Sequence, residues 1–223
     1  MISQVSVDGL PDLGGGSPSI QVLVLLTLVT ILPGILLTLT GFTRILIVLG
    51  FVRNALGTPT MPPNQVLVGI AFFLTLFVMG PTFTKVHNTA IKPFLNDKVT
   101  QQEAINRGLE PVRGFMFKQT RDSELGLFVK LAKEERPETR ADVPTRVLVP
   151  AFVLSELKTA FQIGFLIFVP FLIIDMVVAS TLMSMGMMML PPILISLPFK
   201  ILLFVLVDGW HLVVESIVNS FNP

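Results

Sequence analysis

Half of the ten methionines fall within seven positions, at Met183, Met185, Met187, Met188 and Met189, beside Gly186 and ahead of Pro191 and Pro192. Methionine is unbranched and polarizable, so such a cluster closes around surfaces of different shape, while the neighbouring glycine and prolines interrupt helix. Two readings fit these residue types: a compliant seal, or a buried turn filled by adaptable side chains. A second group with chemical potential is charged. Glu156, Lys158, Asp175, Lys200 and Asp208 lie inside or beside apolar runs, where a charge is costly unless it meets a partner or water.

Glu156 and Lys158 are two residues apart, so on a helix they point different ways and each needs its own partner. Around a single helix, Asp208 would lie about 80° and Glu215 about 60° from Lys200, drawing one broad polar stripe along the last apolar segment. Asp175, between Ile174 and Met176, suits either a proton-responsive role or a structural hydrogen bond. Arg44 and Arg53, nine residues apart, share a helical face and suit headgroup anchoring or an acidic partner at a subunit interface. His87 and His211 have no ligand-spaced companions, so no metal site is expected.

The usual handles for hydrolysis and nucleotide binding (H-E-x-x-H, G-x-S-x-G, the P-loop, G-x-G-x-x-G) are missing, which argues against an enzyme and against a bound cofactor. Cysteine is absent, removing thiol nucleophiles, disulfides and Cys-ligated zinc together. With 223 residues, 52% hydrophobic and 14% charged, the chain is too apolar for an ordinary soluble domain. Twelve of the sixteen Lys and Arg residues lie between Lys85 and Arg146 with nine acids. That near balance is no footprint for nucleic acid.

The elements that must position these residues read as all-α: membrane-embedded or membrane-associated helical hairpins with kinked, Pro-interrupted helices and a small helical extracytoplasmic segment. Residues 1–19 form a polar lead, 20–82 a first hydrophobic region, 83–149 the extracytoplasmic segment, and 150–223 a second hydrophobic region with the methionine loop. Ile20–Gly41 is an uncharged run of 22 residues, long enough to span the roughly 30 Å of bilayer hydrocarbon. Phe42–Leu56 and Gln65–Gly80 are split by Pro59, Pro62 and Pro63, which favours a broken helix or hairpin. Val147–Ile174 and Ile193–Val218 complete about four apolar regions. The lead lacks the basic stretch of a secretory signal, so the first apolar run is expected to stay in the mature chain unless the chain is already processed.

Arg44 and Arg53 in the first connection, against Asp8 and Asp12 in the lead, place that connection in the cytoplasm, with the Lys85–Arg146 segment outside. Within that segment Thr100 and Glu103 form a capping box, and Leu125, Phe128 and Leu131 recur at helical spacing. Asp142 and Pro144 mark the next helix start.

Two blocks, FTRILIVLGFVRNALGTPTMPPNQVLVG from Phe42 to Gly69 and PAFVLSELKTAF onward from Pro150 to Trp210, resemble the FliP/SctR family of type III secretion export-gate proteins, with the flagellar branch favoured by MMMLPP. The resemblance implies a non-enzymatic, pore-forming subunit of the flagellar export gate in the bacterial cytoplasmic membrane and basal body. It implies a homo-oligomer, a pentamer, assembled with FliQ-like and FliR-like subunits beside FlhA-like and FlhB-like proteins within the basal body ring, passing unfolded flagellar subunits. In such an assembly the methionine loop forms a gasket around the pore, Glu156 is expected to pair with Lys200 across a protomer boundary, and the hydrophobic hairpins can sit above the membrane plane. The alternative is a proton-coupled small-solute transporter subunit using Asp175, Glu156 and Lys200 as a relay. An intramembrane hydrolase lacks a nucleophile.

Overall fold

The structure, a computed structural model, describes residues 18–133, 139, 142–187 and 189–221. Met1–Ser17, most of the expected polar lead, lies outside the described residues, as do Pro137 and Met188. Every regular element among the described residues is helical, so the protein is all-α. The chain divides into two compact units, the first ending at Leu36 and the second starting at Leu37.

Helix α1 (Pro18–Leu39) is a 22-residue uncharged helix whose Thr27 and Thr30 hydroxyls each donate to the carbonyl four residues back, at 2.8 Å. This removes the desolvation cost a hydroxyl brings to an apolar surface.

The second unit is built around α2 (Phe42–Ala55). Its buried residues Ile45, Val48, Leu49 and Val52 recur at three and four positions and pack against α3 (Asn64–Val86) and α7 (Thr145–Ser184). At 14 residues α2 is about 21 Å long, too short to cross a bilayer, and it is enclosed by protein. Gly164 allows the close crossing of α7 over α2: a Cβ there would stand 2.5 Å from the Phe51 ring, which also meets Phe161 edge-on at 5.4 Å. Small residues at helix crossings trade side-chain volume for backbone approach.

Helix α3 does not stop at Pro81. It continues through a π-helical turn, His87–Ile91, into α4 (Lys92–Leu95), so apolar helix and polar segment are one rod. The polar segment folds as α5 (Gln101–Gln119) and α6 (Asp122–Leu131). Thr100 caps α5 by accepting from the Glu103 amide at 3.3 Å, half of the expected capping box. Leu125 and Phe128 pack onto a second core of Met116, Val143, Val147, Leu148 and Phe152, whereas Leu131 is exposed. Asp142 does not cap the following helix; it binds the Thr139 hydroxyl and amide, and Pro144 takes the N-cap position.

Helix α7 runs for 40 residues, ten past the apolar region expected to end at Ile174. That is about 60 Å, twice the hydrocarbon thickness. Helices α8 (Pro192–Leu206) and α9 (Gly209–Asn219) follow, bent by 67° at Asp208, whose φ of 51° is left-handed. The single polar stripe expected along Ile193–Val218 therefore does not form, because the chain breaks between Lys200 and Glu215. Among the described residues two helical stretches, Asn64–Leu95 and Thr145–Ser184, are long and apolar enough to cross a membrane, and the bent pair adds a third if it is one span.

Candidate functional site: the methionine turn and the buried ion pairs

The second half of α7 and α8 form a hairpin whose outer faces are unpacked, with Met176, Val177, Leu194, Phe199 and Leu202 all more than half exposed. The methionines sit at its tip. Helix α7 ends in a Schellman motif: Gly186, at φ 76°, donates to the Met183 carbonyl at 3.1 Å and Met187 donates to that of Leu182 at 3.0 Å. Only glycine takes that φ without strain, which is why the turn falls there. Met183 is 57%, Met185 64% and Met189 98% exposed, and Met187 is half-buried. The tip is thus a flexible apolar surface presented outward rather than a packed turn within this chain.

Below the tip the hairpin is stapled. Asp175 on α7 accepts from the Lys200 ammonium at 2.6 Å and from the Ser196 hydroxyl at 2.6 Å, both on α8. Ser196 and Lys200 are four apart and share a helical face. Lys200 is 3% exposed, and its Nζ also lies at the C-terminus of α2: a Cβ on Gly57 would stand 3.9 Å from it. Gly57, at φ 75°, closes α2 in a second Schellman motif through Asn54 and Arg53. A cation there complements the helix dipole.

The other buried charges meet elsewhere. Glu156 on α7 accepts both Nε–H of Arg44, at 3.0 Å, and Nη2–H of Arg44. The remaining guanidinium donors reach the Ser220 carbonyl at 2.7 Å, the Ser220 hydroxyl at 3.0 Å and Gln119 Oε1 at 2.8 Å. Gln119 in turn donates to the Phe221 carbonyl at 2.9 Å, and the Phe221 ring lies 4.0 Å from Arg44 Cζ. All five donors of one guanidinium are used, so α2, α5, α7 and the chain after α9 converge on it.

These contacts correct two expectations. Glu156 and Lys200 each have a counter-ion within the chain, so they do not look to each other. Arg44, 1% exposed, is a core residue and not a headgroup anchor, which also removes one of the two cations that set the expected orientation. Arg53 is half-buried and holds the proline-rich connection, donating to Asn64 Oδ1 at 2.5 Å and the Pro62 carbonyl at 3.4 Å.

Lys158, about half exposed, pairs with Glu124 of α6 at 3.0 Å, and that ammonium holds the Glu124 carboxyl below its ordinary value. Arg121 reinforces the same seam through Ser155, Thr159 and Gln162. Asp208 is exposed at the bend. His87 is exposed, and His211 approaches Glu215 at 3.9 Å. Among the described residues no three His, Cys, Asp or Glu converge as a metal site.

Sequence reasoning missed Gln119, Ser196, Ser220 and Phe221. Only Ser196 had a signal, its i, i+4 register with Lys200 in an otherwise apolar helix.

An all-α chain with bilayer-length apolar helices, buried charges paired within the chain and an exposed apolar tip has the build of a membrane protein. The FliP family profile matches residues 25–217. The flagellar biosynthetic protein FliP of Bacillus subtilis is 58% identical over 205 residues, covering 92% of this chain and 93% of that one. Those of Pectobacterium carotovorum and Caulobacter vibrioides are 60% and 52% identical, covering 91% of this chain and 79% and 76% of theirs. The chain belongs to the FliP family.

Proposed function

We propose that this chain is a structural, non-enzymatic subunit of the flagellar type III export gate, residing in the cytoplasmic membrane within the basal body ring. Several copies, a pentamer in this reading, surround an axis together with FliQ-like and FliR-like subunits, beside FlhA-like and FlhB-like proteins. Met183, Met185, Met187, Met188 and Met189 from each copy form a compliant gasket through which unfolded flagellar subunits pass. The observation that carries this reading is the exposed methionine tip on a hairpin fixed by the Asp175–Ser196–Lys200 staple. A rigid arm with a deformable end suits a seal around a chain of varying side chains. Family membership supplies the context.

The transporter reading loses its relay. Glu156 and Asp175 are 19 residues apart on one helix, about 28 Å, and each is already paired.

Deleting the gene should abolish flagella and motility while leaving small-solute uptake unchanged, with restoration by the intact chain. Normal flagella in the deletion strain would sink the proposal.

A further inference from the structure

A cavity of about 520 Å³ opens between the C-terminal part of α3, α5 and the chain end, with apolar walls from Phe77, Val78, Phe115 and Phe221. Lys85 and Lys118 also line it, and no acidic residue does. Among the described residues neither ammonium has an ion-pair or hydrogen-bond partner, and both residues are exposed. Gln119, also in the wall, has its amide spent on Arg44 and Phe221. The two lysines are therefore the uncompensated charges of the groove.

Their level along α3 is informative. Asn64–Thr84 is an uncharged run of 21 residues, about 30 Å of helix and so one hydrocarbon thickness. Lys85 is the first charge after it, where headgroups lie if Asn64–Leu95 crosses the bilayer.

We propose that this groove binds an acidic phospholipid, its phosphate held between Lys85 and Lys118 and an acyl chain laid against Phe77, Phe115 and Phe221. Two cations without an anion, just past an uncharged run of bilayer length and continuous with an apolar wall, match an anionic amphiphile. A free phosphate would leave the wall unused, and a zwitterionic lipid would leave net positive charge.

The test is native mass spectrometry of the full-length protein in mild detergent, titrated with phosphatidylglycerol or phosphatidylcholine. Phosphatidylglycerol should bind preferentially. Lys85→Gln with Lys118→Gln should weaken it about 25-fold, two surface cations counting roughly fivefold each. Lys85→Arg with Lys118→Arg should retain it, as should Lys92→Gln with Lys98→Gln, exposed lysines that do not line the groove. Inorganic phosphate at millimolar concentration should not displace the lipid. Equal binding of the two lipids, unchanged binding by the Lys85/Lys118 glutamine variant, displacement by phosphate, or an acidic segment of a co-purifying protein crosslinked to Lys118 would each overturn the proposal.

Discussion

Arg44 and Glu156 stand 112 residues apart in sequence and meet as a bidentate pair with side chains 2% and 1% exposed. Such a pair adds little net stability over an apolar replacement, but losing one partner leaves a buried charge unmatched. Loss of Arg44 in addition strands Gln119 Oε1 and the Ser220 carbonyl, so the end of the chain depends on the arginine side of the contact.

Arg44→Met or Glu156→Leu alone should destabilise the protein by about 3–5 kcal/mol, while the double substitution should recover much of the loss. Arg44→Lys should resemble Arg44→Met, because one ammonium cannot reproduce the fork reaching Glu156, Gln119 and Ser220. Thermal unfolding of the purified variants in detergent measures this; additive losses in the double variant would contradict it.

Asp175 and Lys200 define the hairpin arm. Asp175→Lys with Lys200→Asp should regain part of the folded fraction that either single reversal loses, measured by protease resistance of α7 and α8. No recovery would mean that Lys200 owes its position to the α2 C-terminus more than to Asp175.

Gly164→Ala places a methyl group 2.5 Å from the Phe51 ring. The expected cost is about 1–3 kcal/mol, the usual range for overpacking, and Phe51→Leu in the same chain should return part of it. A neutral Gly164→Ala would show that the α2–α7 crossing is looser than described.

The α6–α7 seam should depend on pH. Because Lys158 holds the Glu124 carboxyl below its ordinary value, the contribution is present above the carboxyl's unfolded pKa and is lost as pH falls through the lowered folded value. Hydrogen exchange of Leu125–Val129 amides, corrected for intrinsic rates, should quicken in the acid range, and Glu124→Gln should remove the pH dependence. An unchanged profile in that variant would assign the effect to another group.

The sequence was most legible where one turn of helix contains the whole signal. The Thr100 cap, the Leu125 and Phe128 spacing and the Gly186 break are all local and appear in the structure, although Glu103 does not close the capping box and Leu131 faces outward. The length of α7 was harder to read because the apolar run stops at Ile174, whereas Asp175, partnered on α8, lies within a helix that continues to Ser184. Asp208 looked like a stripe residue because helical angles assume an unbroken axis, and its left-handed backbone ends that assumption. Arg44 was least legible: nothing within its own helix reveals that Glu156, Gln119 and Ser220 are brought to it from three distant segments.

The most direct measurement places a photo-crosslinking amino acid at Met185 or Met189, with Phe73 on the outer face of α3 as the control, in cells exporting a flagellar subunit fused to a domain that cannot unfold. A gasket at the tip of the α7–α8 hairpin should crosslink the stalled subunit from Met185 and Met189 and not from Phe73. Crosslinking from Phe73 with none from the methionine turn would contradict the proposed conduit.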